Sequence, residues 1–166
     1  MNHEGGCLCG DLRFMTTGDP QRIVICHCHF CQKATSGPYA IEPFFLKTDF
    51  SLLRGEPGIY EHRSSASGKA LYLHFCRRCG TRVYTVFERY ADVMSIYGGT
   101  FDDPEWFEGS GPLRHVFVSS ARSGTIIPPN VAVYQQGSFT PDGSPNTAIT
   151  FAEFHVVQAR KADNPL

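Results

Sequence analysis

The sequence lacks an excess of charge of either sign: its 166 residues carry 15 Lys+Arg against 16 Asp+Glu, for a formal net charge of -1. Such a balance exerts no net pull on phosphates, and the basic pairs Arg77-Arg78 and Arg160-Lys161 are too short to form a stripe, which argues against nucleic acid as a partner. Long apolar runs are missing as well. No stretch approaches the roughly 18 apolar residues of a membrane span. The start, Met1-Asn2-His3-Glu4-Gly5-Gly6, has neither the basic nor the apolar region of a secretory leader. The expectation is a soluble, cytoplasmic protein with no membrane partner. No fixed-period repeat stands out.

What the chain does contain is 13 Phe, 7 Tyr, 16 Gly and 11 Pro, a mixture that fits many short strands divided by turns. Period two dominates from Asp11 to about Phe101. Leu12 and Phe14 alternate with Arg13 and Met15, Leu71, Leu73 and Phe75 alternate with Tyr72 and His74, and Val83-Tyr84-Thr85-Val86-Phe87 is β-branched and aromatic. Two short helices are expected. One runs from Cys28 to Thr35, stopping at Ser36-Gly37-Pro38, and the other follows an N-cap at Asp103 with Pro104 at the first helical position. Ser119 to Thr147 reads as loop with one strand at Val131 to Tyr134, and Ala148 to Val157 returns to strand-like text that can rejoin the sheet. Arg160 to Leu166 is short and polar enough to fray. The length supports one domain over residues 1–166, with a core of its own and a Ser/Gly/Pro-rich loop region at about 119–147.

Seven cysteines form three clusters: Cys7 and Cys9, then Cys26, Cys28 and Cys31, then Cys76 and Cys79 followed by Gly80. An odd count at tight spacing argues against a complete disulfide framework and favours metal ligation or catalysis. A structural zinc is usually held by two short ligand pairs, and the first and last clusters are such pairs. A redox role for Cys76 and Cys79 would call for a βαβ pattern that is not evident. The middle cluster, Cys26-His27-Cys28-His29-Phe30-Cys31, offers three thiols, the ligand count of a zinc site with an open fourth position. A closed site remains the alternative, with His27, His29 or His74 as fourth ligand, and so does a buried free thiol at Cys26. Adjacent residues rarely bind one ion together, which favours an orienting or packing role for His27.

With these clusters laid out, the sequence resembles the glutathione-dependent formaldehyde-activating enzyme family, also called the Gfa or CENP-V type. The resemblance rests on Gly6-Cys7-Leu8-Cys9-Gly10, on Cys26-His27-Cys28-x-x-Cys31-x-x-Ala34-Thr35, and on Phe75-Cys76-x-x-Cys79-Gly80. Arg63-Ser64-Ser65 and Gly99-Thr100-Phe101-Asp102-Asp103-Pro104 add to it, and it spans about Gly5 to Val118. It implies a mainly β, zinc-stabilised fold of the β-tent kind and two zinc ions per chain. By matched position, Cys7, Cys9, Cys76 and Cys79 would hold a structural zinc, and Cys26, Cys28 and Cys31 a second, catalytic zinc with an open place. The implied activity is that of a carbon-sulfur lyase joining formaldehyde and glutathione reversibly into S-hydroxymethylglutathione.

Beyond Val118 the pattern is left. Relatives carry a basic, tryptophan-containing segment after the His-x-Phe-Val strand, where this chain has Ser119-Ser120-Ala121-Arg122-Ser123-Gly124, and the stretch Gln135 to Asn146 reads as an insert. The thiol partner is therefore expected to be glutathione or a similar small thiol, and the second substrate formaldehyde or a related small aldehyde. Arg63, Lys69 and Arg122 are the cations on offer for an anionic thiol, and His27 and His29 are the nearest imidazoles for a proton transfer. The alternative to an enzyme is a non-catalytic β-tent module with two structural zincs and a sheet face or loop that binds a partner. Self-association is open on either reading. Trp106 is expected to anchor the turn from Asp103 to Phe107.

Overall fold

A computed structural model describes residues 1–65 and 67–159; the expectation for the tail from Arg160 to Leu166 lies outside the described residues. In chain order the elements are β1 (Asn2–Gly6), β2 (Arg13–Thr17), β3 (Arg22–Cys26), α1 (His29–Thr35), β4 (Ala40–Leu46), β5 (Phe50–Arg54), β6 (Gly58–Arg63), β7 (Ala70–Phe75), β8 (Arg82–Phe87), β9 (Val93–Ile96), β10 (Leu113–Val116), β11 (Ile126–Ile127), β12 (Ala132–Val133) and β13 (His155–Val156). Single 3-10 turns stand at Lys47–Asp49, Gly98–Thr100 and Val118–Ser120. The fold is mainly β, with short antiparallel and mixed strands and one short α-helix among the described residues.

Two compact units are formed. The first comprises Met1–Ile23 and Ile41–Pro112. It holds an antiparallel sheet in the order β1-β2-β5 and an antiparallel run in the order β4-β9-β8-β7-β6. The alternation read at β2 is real: Leu12, Phe14 and Thr16 point inward and are almost wholly buried. Phe14 meets Phe101 edge-on at 5.2 Å and Phe50 at 5.7 Å, and Phe101 meets Trp106 edge-on at 5.4 Å. Along β7 the alternation is less clean. Only Ala70 and Leu73 are fully inside, and a register shift between His74 and Phe75 breaks the pattern just before Cys76.

The helix expected after Asp103 does not form. Asp103 does accept the Glu105 N–H at 3.2 Å, but the segment continues as successive turns, with Glu108 N–H donating to Glu105 O and Ser110 N–H to Phe107 O. The aromatic core explains this: Trp106 and Phe107 are adjacent in sequence, and both rings pack on Phe101, which a single helical face would not permit. Trp106 anchors the turn as expected, stacked on His3 with ring centroids 3.4 Å apart.

The second unit comprises Val24–Ala40 and the described residues from Leu113 onward. Its core is Val118, Ala121, Ile127 and Val133, with Phe151 and Val157 packed against it. β10 lies beside β3 and pairs in parallel with β12, which fulfils the strand expected at Val131 to Tyr134. The region from Ala148 to Val157 differs from expectation. Its contribution is a single bridge from Ile149 to Val133 and the two-residue β13, which pairs with β11 in a small separate sheet. Loop groups take the remaining backbone partners: Asn130 N–H bonds Phe151 O, and Val157 N–H bonds Thr125 O. The insert from Gln135 to Asn146 closes on itself through Thr140 N–H to Ser144 O and Asn146 Nδ2 to Gly137 O.

At Gly5 the backbone of β1 passes so close to the core that a Cβ would lie 2.4 Å from both Phe14 Cζ and Thr100 O. Gly5→Ala is therefore expected to lower stability by about 1–3 kcal/mol, the usual cost of overpacking, read as a fall in the chemical-denaturation midpoint.

Candidate metal centre

The first cluster is built from two knuckles of like design. Gly10 N–H bonds Cys7 O and Gly80 N–H bonds Cys76 O, each at 2.9 Å, and both glycines adopt a φ of +75°, the left-handed region that glycine enters freely. Each knuckle thereby turns its two sulfurs to one side. Leu8 N–H reaches Thr81 Oγ1 at 3.2 Å and ties the first knuckle to the second. Cys7, Cys9, Cys76 and Cys79 bring their Sγ atoms within 4.8 Å of one another, with Cys7–Cys9 at 3.5 Å and Cys9–Cys76 at 3.7 Å. A tetrahedral zinc with Zn–S bonds of about 2.3 Å sets its sulfurs about 3.8 Å apart, so this set fits the ion. None of the seven cysteines is in a disulfide, and these separations are far from the roughly 2.05 Å of one.

The electrostatics of the cluster also call for a cation. Hydrogen bonds from Thr81 hold Cys79 down to about 5. The backbone N–H of Asp11 favours the Cys9 thiolate, yet burial and its three sulfur neighbours push it up to about 12. Without a positive ion neighbouring thiolates compete for charge, which is why Cys9 and Cys79 are displaced in opposite directions. Leu12 N–H supplies part of the compensation, donating to Cys7 Sγ at 3.2 Å.

The second cluster joins the end of β3 to the start of α1. Cys26 closes the strand, Cys28 is the helix N-cap in extended conformation, and Cys31 lies in the first turn. Their Sγ atoms lie within 4.8 Å of one another, Cys26 and Cys28 at 3.5 Å, and Cys31 N–H donates to Cys28 Sγ at 3.3 Å. The neighbouring thiols of Cys26 and Cys31 donate to Cys28 and hold it down to about 3, against the opposing effect of burial. The helix stops where the sequence indicates, at Ser36 in the left-handed conformation with φ 55°. Three thiols with these spacings can hold a zinc ion by three arms.

The three histidines considered as a fourth ligand are each placed elsewhere. His29 opens α1 and is exposed. His27 is fully buried and bonds His115 through Nε2 at 3.0 Å. His74, in the first unit, stacks on Tyr84 at 4.2 Å with Nδ1 at 3.0 Å from Tyr72 O. Among the described residues of the second unit, no imidazole or carboxylate joins the three sulfurs. Of the cations, Arg63 pairs with Glu61 and Lys69 with Glu88, each at 3.1 Å in the first unit. Arg122 is exposed in the second unit, two residues after Ser120, whose carbonyl accepts from Gln32 of α1 at 2.9 Å.

Sequence reasoning missed Gln32 and Thr81. The only local hint for Thr81 is its place just after Cys79-Gly80, and Gln32 has none, since its partners His27 O and Ser120 O are set by the fold.

Metal at the four-cysteine cluster closes a loop of 67 residues between Cys9 and Cys76, which chain-entropy arguments value at about 4 kcal/mol. Cys76→Ser is expected to cost one metal ion per chain by elemental analysis and about that much stability by denaturant titration, with the three-cysteine metal retained.

A crystal structure of a Rhodobacter sphaeroides protein aligns with this chain at 19% identity and a TM-score of 0.48, covering 60% of this chain and 87% of that one. The model of the family described as glutathione-dependent formaldehyde-activating enzyme matches residues 2–120. That span contains all seven cysteines and ends where the atypical segment after Val118 begins. The chain belongs to the glutathione-dependent formaldehyde-activating enzyme family.

Proposed function

We propose that this protein is a zinc-dependent carbon-sulfur lyase that adds a small thiol, glutathione or a close analogue, reversibly to formaldehyde or a related small aldehyde. The observation that carries this reading is the contrast between the clusters: four sulfurs in one and three in the other, the three without an imidazole or carboxylate among the described residues of their unit. A four-sulfur set is coordinatively closed, whereas three leave a place for substrate. The described residues contain no helix long and apolar enough to cross a membrane, and the reading places the enzyme in the cytoplasm.

A zinc ion held there supplies positive charge that favours thiolate over thiol at neutral pH. The chain's own residues hold and orient. Three cysteine thiolates around a dication leave about one net negative charge, which suits capture of a thiol better than strong polarisation of a carbonyl. The overall change is simple to balance: the thiol sulfur forms a bond to the aldehyde carbon, the carbonyl π pair moves to oxygen, and the proton lost from sulfur returns on that oxygen through solvent. Thiols add to formaldehyde unaided, so holding both reactants together supplies most of the acceleration required. His27 is poorly suited to carry the proton, since burial, reinforced by His115, pushes it down to about 4 and its Nε2 is engaged. His29 stands on the exposed side of the same turn.

Exchange NMR on labelled formaldehyde with glutathione tests the reading. The zinc-loaded protein is expected to accelerate exchange between free aldehyde and hemithioacetal, and Cys28→Ser to return it to the protein-free rate while one zinc per chain stays bound. Exchange at the protein-free rate with the wild type would refute it.

A further inference from the structure

His27 lies between two of the three clustered thiols. Successive side chains of an extended segment point to opposite sides, so Cys26 and Cys28 share one side, with their sulfurs 3.5 Å apart, and the His27 ring takes the other. That ring is wholly buried. Its Nε2 lies 3.0 Å from Nδ1 of His115, itself 5% exposed on β10, and the two rings are nearly parallel with centroids 5.2 Å apart. Tyr39 packs edgewise on His27 at 5.4 Å. The His27 backbone is tied as well: its N–H bonds Val116 O at 3.0 Å, and its carbonyl accepts from Gln32 Nε2 at 2.7 Å. Contacts from β10 and α1 thus converge on the one residue that separates the two thiols.

The ring contact has a direction. A hydrogen bond between two ring nitrogens needs one protonated and one bare nitrogen, so one ring donates and the other accepts. Their short contact therefore carries a single proton. Nδ1 of His27 is buried with no hydrogen-bond partner. If His115 were the donor, that orphan would be a ring N–H, a buried donor left without an acceptor at the full cost of its desolvation. With His27 donating from Nε2, Nδ1 is a bare lone pair and His115 Nδ1 is the acceptor.

We infer that His115 is a positioning residue for the three-cysteine site: by accepting from His27 Nε2 it fixes that ring, and through it holds Cys26 and Cys28 side by side for a metal ion. The inference rests on the metal reading of that site and adds to it a residue distant in sequence that touches neither metal nor substrate. Partners that orient a metal site from outside its ligands typically alter affinity 10- to 100-fold when removed.

Two variants of the zinc-loaded full chain test it. His115→Leu fills the space without an acceptor, and His115→Asn offers an amide oxygen near the place of Nδ1. Long-range 15N NMR is expected to find the wild-type His27 protonated at Nε2. Chelator competition is expected to show the second zinc bound about 10- to 100-fold more weakly in His115→Leu and to within a few-fold of wild type in His115→Asn, with the four-cysteine zinc unchanged in both. Wild-type affinity in His115→Leu, equal losses in both variants, or a wild-type proton on Nδ1 would each overturn the inference while leaving the two-metal reading intact. A wild type that takes up one zinc overturns that reading and the inference together.

Discussion

Thiolates repel one another, and a protein that gathers them at tetrahedral spacing has to supply both the scaffold that holds them and the charge that reconciles them. At the four-cysteine cluster the scaffold is a pair of glycine-ended knuckles, one after β1 and one after β7, bound to each other through Leu8 and Thr81. The charge is not supplied by the chain alone, as the opposite displacements of Cys79 and Cys9 reveal. A dication resolves the conflict. The first unit is arranged around this demand. β2 is pinned by the Phe14 cluster directly beyond the first knuckle, and β7 and β8 form the hairpin that carries the second.

The three-cysteine cluster satisfies the same repulsion differently. Its thiols come from a strand end, a helix cap and a helix turn, and the cap position gives Cys28 a backbone N–H donor that no strand would provide. Fewer sulfurs mean less charge to reconcile, and on the proposed reading they leave one coordination place for substrate. The two clusters share a ligand type and are distinguished by count and by the elements that present them.

How much of this is legible from sequence follows from how local each determinant is. The paired cysteines of the first cluster and the helix stop at Ser36 are set by a few neighbouring residues, and local sequence finds them, whereas the cap role of Cys28 emerges only in the structure. The inward pair Leu12 and Phe14 is legible because β2 is buried on one face only, and Thr16 extends the row in the structure. The turn from Asp103 to Phe107 carries a genuine cap, yet the pull of the aromatic core on Trp106 and Phe107 overrides the helix. β11 and β13 are two residues long, too short for any period to register. The His27–His115 pair joins positions 88 apart in sequence, and no motif connects them.

Zinc K-edge X-ray absorption on protein loaded with two equivalents of zinc tests the central claim most directly. With four sulfurs at one site and three at the other, the account predicts an average of about 3.5 sulfurs per zinc, completed by a light oxygen scatterer, rising to about 4 when glutathione is added. Four sulfurs from the outset, or an imidazole signature at the second zinc unaltered by glutathione, would contradict it.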